Sequence, residues 1–322
     1  MANFEKPIII VSKCLGFAPC RYNGISLPDK KIDVLKPFVE YKPVCPEVEI
    51  GLGIPRDPIR MVLINGKPEL YQTATNRYVT EQMNAFVNNY LSTAGEVDGF
   101  ILKDRSPSCG LKDVKLYSPN GMSIKGNASG FFGSKIEELY SLYPAETEGR
   151  LSNFTIREHF LTHIFISASF RKIEKLRSMD SLVKFHTENK FLIMAYNESS
   201  MRKLGKIAAN HEKKDIAEVL SLYGQTLRKA FIKPAKFTAN INILLHGLGF
   251  VSKNLSAKEK AYFLDCIEKY RDNKVPLSVP SGVLKAFLVR FEVEFLLKQT
   301  YFEPYPENLV EITDSGKGRN LK

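Results

Sequence analysis

The sequence contains no tryptophan, no long apolar segment and no Cys-x-x-Cys pair. A membrane span needs about 18 consecutive apolar residues, and no segment reaches that length. The apolar run at Ile8–Val11 is also too short for a secretory signal, so we expect a cytoplasmic protein with reduced thiols. The missing Cys-x-x-Cys pairs exclude the usual spacings of zinc ribbons and ferredoxins.

What is present is typical of a folded, soluble protein. The chain has 322 residues, of which 44% are hydrophobic and 25% are charged. This composition excludes a mostly disordered chain and supplies enough apolar material for a core. At roughly 100–200 residues per domain, the length predicts two domains.

The charge differs between the two halves of the chain. The formal net charge is +11. Residues 1–150 hold 18 basic and 17 acidic side chains, for a net +1, and residues 151–322 hold 28 and 18, for a net +10. A basic half indicates a polyanionic partner, although a lysine-rich surface without a partner would give the same numbers.

The hydrophobic pattern assigns the two halves to different fold classes. Short apolar runs alternate with helical patterns in residues 1–145, which predicts an open α/β sheet of the Rossmann-like kind. Strands are predicted at Ile8–Val11, Val39–Val44, Met61–Ile64 and Gly99–Lys103, the third leading into an Asn65-Gly66 hairpin turn, and a helix at 76–91 with Thr75 as N-cap.

From about residue 151 the pattern is helical almost throughout, which predicts an all-α domain. We expect a catalytic-type domain at 1–148, a linker at 143–149 and a helical domain at 149–322 with a frayed tail at 313–322. Asn153 and Ser256 are predicted N-caps, the latter in a capping box with Glu259. The helices are predicted at 155–177, 181–196, 198–208, 211–232, 237–250, 256–273 and 281–300.

Three cysteines follow predicted strands in the neutral half. Cys14, Cys45 and Cys109 each come after one of these strands, and ligands of open α/β sheets bind beyond the carboxyl ends of the strands. Three thiolates suit an iron–sulfur cluster or, equally by ligand chemistry, zinc with an open position. Unrelated buried thiols are the alternative, which we also expect for Cys266.

Polar side chains that are capable of proton transfer accompany these thiols. Glu47 lies two residues after Cys45, and Ser106 and Ser108 immediately precede Cys109. A carboxylate beside a metal centre can act as a general acid or base. Taken singly, Glu47 is equally an ordinary surface carboxylate, and the serines are equally turn or cap residues.

Together these segments resemble the thiouracil and thiouridine desulfidases, and the resemblance covers most of residues 6–145. The resemblance implies a [4Fe-4S] cluster held by Cys14, Cys45 and Cys109, with a fourth iron left open as a Lewis acid. It implies Glu47 as the catalytic carboxylate and an active-site serine at Ser106, or else Ser108; Cys20 matches no ligand. The matching strings are Val11–Gly16, Cys20–Gly24, Pro43–Glu47, Gly51–Arg56 and Leu102–Gly110.

The basic half resembles a second family, the YbgA-like helical domain, over roughly 157–310. Proteins that combine the two domains are similar to enzymes that convert 4-thiouridine in transfer RNA to uridine, with water as co-substrate and release of sulfide. The resemblance implies that the helical domain holds the tRNA. The matching strings are Phe185–Lys190, Asn240–Gly247, Tyr270–Arg271 with Val275–Leu277, and Tyr301–Pro306.

Lysines and arginines neutralise phosphates without reading sequence, so basic residues of this half are candidate RNA contacts. Each is also consistent with a solvated helix face. We expect His186 and His246, and the aromatics Phe185, Tyr196, Phe231 and Phe250, to be core residues. The candidate contacts are Lys184, Lys190, Lys203, Lys206, Lys213, Lys214, Arg228, Lys229, Lys233, Lys236 and Lys253.

Three functions remain open from the sequence. The first is an iron–sulfur desulfidase of 4-thiouridine in tRNA, acting by hydrolysis without net redox change. The second is the same chemistry on free thiouracil or thiouridine. The third is a non-catalytic RNA-binding protein with structural metal. The sequence indicates no membrane association and does not specify the oligomeric state.

Overall fold

The computed structural model describes residues 4–310, which contain nine strands and twelve α-helices. The strands are β1 (Ile8–Ser12), β2 (Glu40–Val44), β3 (Ile59–Ile64), β4 (Lys67–Gln72), β5 (Arg77–Tyr78), β6 (Gly99–Leu102), β7 (Val114–Tyr117), β8 (Ser123–Ala128) and β9 (Ala145–Thr147). The helices are α1 (Lys30–Leu35), α2 (Pro46–Glu49), α3 (Thr80–Thr93), α4 (Phe131–Leu139), α5 (Phe154–Leu176), α6 (Met179–Tyr196), α7 (Glu198–Ala209), α8 (Ile216–Ala230), α9 (Phe237–Val251), α10 (Ala257–Arg271), α11 (Ser278–Arg290) and α12 (Glu294–Leu297).

A four-stranded parallel sheet forms the centre of the N-terminal half. Its strand order is β2-β1-β6-β9. The next strand in the chain, β2, therefore pairs with one edge of β1, and the later strand β6 pairs with the other edge. Every residue of β1 and β6 is buried, as expected for parallel strands that are covered on both faces. The apolar runs in the sequence therefore predicted these strands correctly, and the α/β class is confirmed.

The predicted linker at 143–149 is wrong for its central part. Ala145–Thr147 pairs with Phe100–Leu102 as the edge strand β9, and Glu148 Oε2 accepts a hydrogen bond from the Asp104 backbone N–H at 2.9 Å. The sequence pattern failed because three residues at a sheet edge are too few to show apolar periodicity.

A second sheet, which the sequence indicated only in part, has the order β5-β4-β3-β7-β8. The predicted hairpin is confirmed, since β3 and β4 are antiparallel and both turn residues, Asn65 and Gly66, have positive φ. The predicted helix at 76–91 begins instead at Thr80, because Arg77 and Tyr78 extend the sheet as β5. Thr75 consequently caps no helix.

The C-terminal half is helical as predicted, with two corrected boundaries. The helix predicted at 211–232 begins at Ile216, where the Asp215 side chain accepts a hydrogen bond from Ala217 N–H at 3.2 Å. The helix predicted at 281–300 is divided, because Glu292 has a left-handed φ of 53° between α11 and α12.

The two N-caps that were predicted in this half are confirmed. Asn153 accepts from Ile156 N–H at 3.0 Å, and Ser256 and Glu259 form the complete capping box.

The described chain divides into two compact units, 4–168 with 308–310, and 169–307. This division falls inside α5, between Ala168 and Ser169. The domain boundary predicted at 148/149 stays a prediction. None of the helices in residues 4–310 combines the length and apolarity that crossing a membrane requires. The predicted frayed tail at 313–322 lies outside the described residues.

Candidate active site

The site begins where three parallel strands end. The backbone N–H of Lys13, just after β1, donates to the Val44 carbonyl at the end of β2 at 2.8 Å. The N–H of Lys103, just after β6, donates to the Ser12 hydroxyl oxygen at 2.9 Å. These bonds align the three strand ends at the point where strand order reverses, which is where open α/β sheets bind ligands.

Four cysteines line one cavity of about 350 Å³ at these ends. Cys14 is partly exposed, whereas Cys20, Cys45 and Cys109 are buried. The structure therefore brings together the three predicted ligands and adds Cys20, to which the sequence assigned no role. Remoter in the chain, Cys266 is a buried free thiol as expected.

The buried thiols resist ionisation. A hydrogen bond with the Cys14 side chain raises the pKa of Cys20 to about 11, and a hydrogen bond with Cys20, together with burial, raises the pKa of Cys45. Burial raises the pKa of Cys109, although hydrogen bonds with Ser12 and Ser106 favour its thiolate. Binding a cation here must therefore release protons from these groups.

Glu47 adjoins the thiols in a fixed orientation. It lies in the first turn of α2, whose N-cap residue is Cys45 and whose first residue is Pro46. Its Oε2 accepts from Arg56 Nε at 2.9 Å and Nη2 at 2.7 Å, and its Oε1 accepts from the Ser108 hydroxyl at 2.9 Å. The carboxylate is thus held at both oxygens.

The two candidate serines occupy different positions. Ser106 lines the cavity, and its hydroxyl oxygen accepts from the backbone N–H groups of Ser108 and Cys109 at 3.3 and 3.1 Å. Ser108 is fully buried and contacts Glu47. Ser106 is therefore placed to meet a ligand, and Ser108 is placed to orient the carboxylate.

Arg56 is a residue of the candidate site that sequence reasoning did not single out. Its side chain is 3% exposed, and its Nη1 donates to the carbonyls of Cys20 and Gly53, both at 3.0 Å. One guanidinium thereby connects the Cys20 loop with Glu47. The signal was in the string Gly51–Arg56, but that string does not reveal which atoms the arginine reaches.

The donor set suits a thiolate-bound metal group. Four sulfurs on one cavity are soft ligands of the type that hold iron–sulfur clusters and zinc. Within residues 4–310, no three His, Cys, Asp or Glu side chains are grouped as a site for a single metal ion. The fit therefore rests on the ligand chemistry and on the convergence of the cysteines.

The predicted RNA contacts are mostly on the surface of the helical unit. Nine of the eleven side chains are exposed, the exceptions being Lys214 and Arg228. Lys214 pairs with Glu212 at 3.4 Å and Glu218 at 2.9 Å, and Arg228 contacts Glu174 at 3.5 Å. Neighbouring carboxylates therefore offset the charge of these two residues.

The prediction of a core position is wrong for two of the residues, His246 and Phe250. His186 is partly buried with Nδ1 3.0 Å from the Tyr223 hydroxyl, and Phe185 and Phe231 are buried. His246 is exposed, and Phe250 is 50% exposed, because α9 turns this part of its surface to solvent.

Two separate stretches of the chain match known protein families. Residues 9–148 match the family model described as 2-thiouracil desulfurase, and residues 190–306 match that of a protein family of unknown function, DUF1722. The uncharacterized protein YbbK of Bacillus subtilis (strain 168) is 33% identical over 128 residues, which cover 37% of this chain and 84% of YbbK.

A solved structure, that of the [4Fe-4S]-dependent thiouracil desulfidase TudS, is 27% identical. The similarity covers 45% of this chain and 93% of TudS, with a TM-score of 0.37. The family match and the relationship to YbbK carry the assignment. The chain belongs to the 2-thiouracil desulfurase family of enzymes, with a DUF1722 region following the desulfurase region.

Proposed function

We propose that the protein converts 4-thiouridine in tRNA to uridine and releases sulfide, using a [4Fe-4S] cluster held by Cys14, Cys45 and Cys109. The observation that carries this proposal is the single cavity in which four cysteines adjoin a doubly anchored carboxylate. Family membership supports removal of sulfur from a thiolated pyrimidine.

The cluster would occupy the cysteine side of the cavity. When bound through three thiolates, such a cluster supplies a soft Lewis acid, its open iron, suited to a thiocarbonyl sulfur. Ser12 and Ser106 favour the thiolate form of Cys109, one of the three proposed ligands.

Glu47 is the proposed base that activates water. An ionised carboxylate offers about four lone-pair sites, and Arg56 uses two on Oε2 while Ser108 uses one on Oε1. One site on Oε1 remains for a water molecule. Glu47 takes one proton from this water as the oxygen of the water bonds to C4. The proton then passes to the sulfur, which leaves with the electron pair of the C–S bond as hydrosulfide, while the new hydroxyl on C4 loses its proton to solvent and becomes the carbonyl of uridine.

The serines have separate proposed tasks. Ser106 lines the cavity and is placed to hydrogen-bond the substrate or to pass a proton. Ser108 donates to Oε1 of Glu47 and so directs the remaining lone pair of that oxygen. In this mechanism Ser108 acts on Glu47, which it orients, and Ser106 acts on the substrate, which it contacts in the cavity.

The tRNA part of the proposal is supported by the helical unit. Residues 151–322 carry a net charge of +10, nine of the predicted contacts are exposed lysines, and such a surface neutralises phosphates. A base inside a folded RNA must also leave its stack to reach the cavity, at a cost of about a few kcal/mol unless it is already looped out.

Free thiouracil or thiouridine is the second candidate substrate. The observation in its favour is the family description, which names 2-thiouracil and no RNA. With this substrate, the helical unit would serve assembly or regulation.

The test is sulfide release by the anaerobically prepared protein from tRNA that contains 4-thiouridine, compared with free 4-thiouridine and 2-thiouracil. We expect turnover of the tRNA, and a loss of about 10²–10⁴-fold in the Glu47→Gln variant at unchanged iron content. Turnover of the free compounds alone would replace the first candidate with the second. Full activity after removal of the cluster would contradict the proposed cofactor.

A further inference from the structure

Exposed aromatic rings form a continuous row on the helical unit. The His246 ring lies 5.6 Å from buried Phe191 and 5.7 Å from Phe250, nearly perpendicular to the latter. Phe250 in turn lies 6.4 Å from Phe295. Phe250 and Phe295 are 50% and 42% exposed, so the row begins in the core and ends in solvent.

Basic side chains flank this row, which is called the aromatic row below and comprises His246, Phe250 and Phe295. Phe295 and Lys298 line a cavity of about 160 Å³ together with Lys184. The cavity also contains Glu188, whose carboxylate is 4.0 Å from Lys184 Nζ. Lys298 has no carboxylate partner among residues 4–310, and Lys253 lies in the 3-10 turn Ser252–Asn254 that follows α9.

Exposed rings with lysines beside them are the arrangement that binds unpaired nucleotides. Every base has a flat π-face that stacks on an aromatic ring, while the lysines neutralise the adjoining phosphates. The core contact through Phe191 fixes the position of the His246 ring, so little entropy is lost when a base stacks beside it. An apolar protein partner would gain nothing from the unpaired ammonium group of Lys298.

We propose that the aromatic row is a stacking site for unpaired bases of the RNA substrate. This inference rests on the proposed function and adds to it a recognition element: single-stranded nucleotides bound on the helical unit itself. The contact is tolerant of base identity, because stacking uses the face of the base and not its hydrogen-bonding edge.

The absence of tryptophan from the sequence allows a direct optical test. In the Phe250→Trp variant of this 322-residue chain, the introduced indole is the only tryptophan fluorophore. We expect its emission to be quenched on addition of tRNA or oligouridylate. The matched control is Tyr262→Trp on α10, an exposed aromatic position with 58% exposure, at which we expect no quenching. Equal responses at both positions would overturn the stacking site.

A binding measurement gives the second test. In the double variant Phe250→Leu/Phe295→Leu, which keeps apolar bulk but removes the π-faces, we expect the Kd for 4-thiouridine-containing tRNA to rise about tenfold. Turnover of free 4-thiouridine should be unchanged, and Tyr262→Leu should bind tRNA like the wild type. An unchanged Kd in the double variant overturns the inference.

A lysine variant separates this inference from the proposed function. If Lys203→Glu/Lys206→Glu weakens tRNA binding and the double aromatic variant does not, the stacking site is wrong and the tRNA substrate stands. If the wild type has no affinity for tRNA, both fail. If the wild type sediments as a dimer that the double aromatic variant dissociates, the row is a contact between copies and the stacking site is again wrong.

Discussion

The arrangement at Glu47 depends on one buried cation. Arg56 is 3% exposed and makes two bonds to the Glu47 carboxylate, whose side chain is 14% exposed. A charge buried to this extent is stable only while its partner is in place, because the protein interior solvates an isolated ion poorly. Arg56 therefore contributes both to the stability of the N-terminal unit and to the orientation of the carboxylate.

Replacement of Arg56 by glutamine should reveal both effects. Removing one member of a buried pair is expected to lower the free energy of unfolding by about 3–5 kcal/mol. Turnover should fall as well, because Glu47 loses two of its three anchoring bonds. Urea unfolding and steady-state kinetics measure these effects.

The matched control is Arg202→Gln, which breaks the exposed pair with Glu198 at the start of α7. A surface pair contributes about 0–1 kcal/mol, so this variant should unfold close to the wild type. If both variants unfold at the same urea concentration, Arg56 does not have the proposed role.

The cysteines should separate into ligands and a bystander. The Cys20 thiol adjoins the Cys14 and Cys45 side chains, yet the proposed cluster uses only the other three thiols. We expect Cys20→Ser to retain iron and visible absorbance, and Cys45→Ser to lose both. Iron analysis of anaerobic preparations measures this difference; loss of iron in Cys20→Ser would add Cys20 to the ligands.

At the scale of single elements, the Cys109 loop is held by a helix end. The N–H groups of Phe131 and Phe132 at the start of α4 donate to the carbonyls of Pro107 and Ser108, at 3.2 and 2.8 Å. The first N–H groups of any helix have no hydrogen-bond acceptor within that helix. The loop supplies acceptors for these groups of α4, and the same hydrogen bonds hold the loop in place. The close approach requires glycine, since a Cβ on Gly133 would lie 2.4 Å from the Gly110 carbonyl oxygen.

Gly133→Ala is therefore expected to displace the loop that carries Cys109. Overpacking of this type destabilises by about 1–3 kcal/mol, and we expect reduced iron content at the same time. Gly282→Ala is the control, because nothing lies within 4 Å of its added Cβ and alanine favours the interior of α11. Wild-type iron content in Gly133→Ala would show that the helix end does not position Cys109.

Strands, turns and helix caps could be predicted from the sequence where neighbouring residues alone determine them. The buried runs at β1 and β6, the Asn65-Gly66 turn and the Ser256 capping box were all correct. Short pieces such as β5 and β9 were missed, because their strand character comes from pairing with distant residues. The Arg56–Glu47 and Ser108–Glu47 contacts were missed as well, because they join residues 9 and 61 positions apart, and no local pattern shows such contacts.

At the scale of the molecule, charge and chemistry occupy different parts of the chain. Residues 1–150 carry a net +1 and the proposed ligands, while residues 151–322 carry a net +10 and the aromatic row. Nine of the eleven predicted RNA contacts lie at the surface, because long charged side chains are seldom buried without partners. The exposure of His246 and Phe250 was not foreseen, since helical spacing alone does not show which face of α9 is covered.

This separation predicts different salt dependences for the two proposed substrates. Binding through about six phosphate contacts weakens about 10³-fold between about 50 and 200 mM salt, because condensed counterions are released on association. We expect kcat/KM for thiolated tRNA to fall steeply over this range, and kcat/KM for free 4-thiouridine, which has no phosphate, to change little. Parallel assays of the same preparation measure both values. Equal salt dependence would mean that the basic half does not hold the RNA, whatever reaction the cysteine cavity performs.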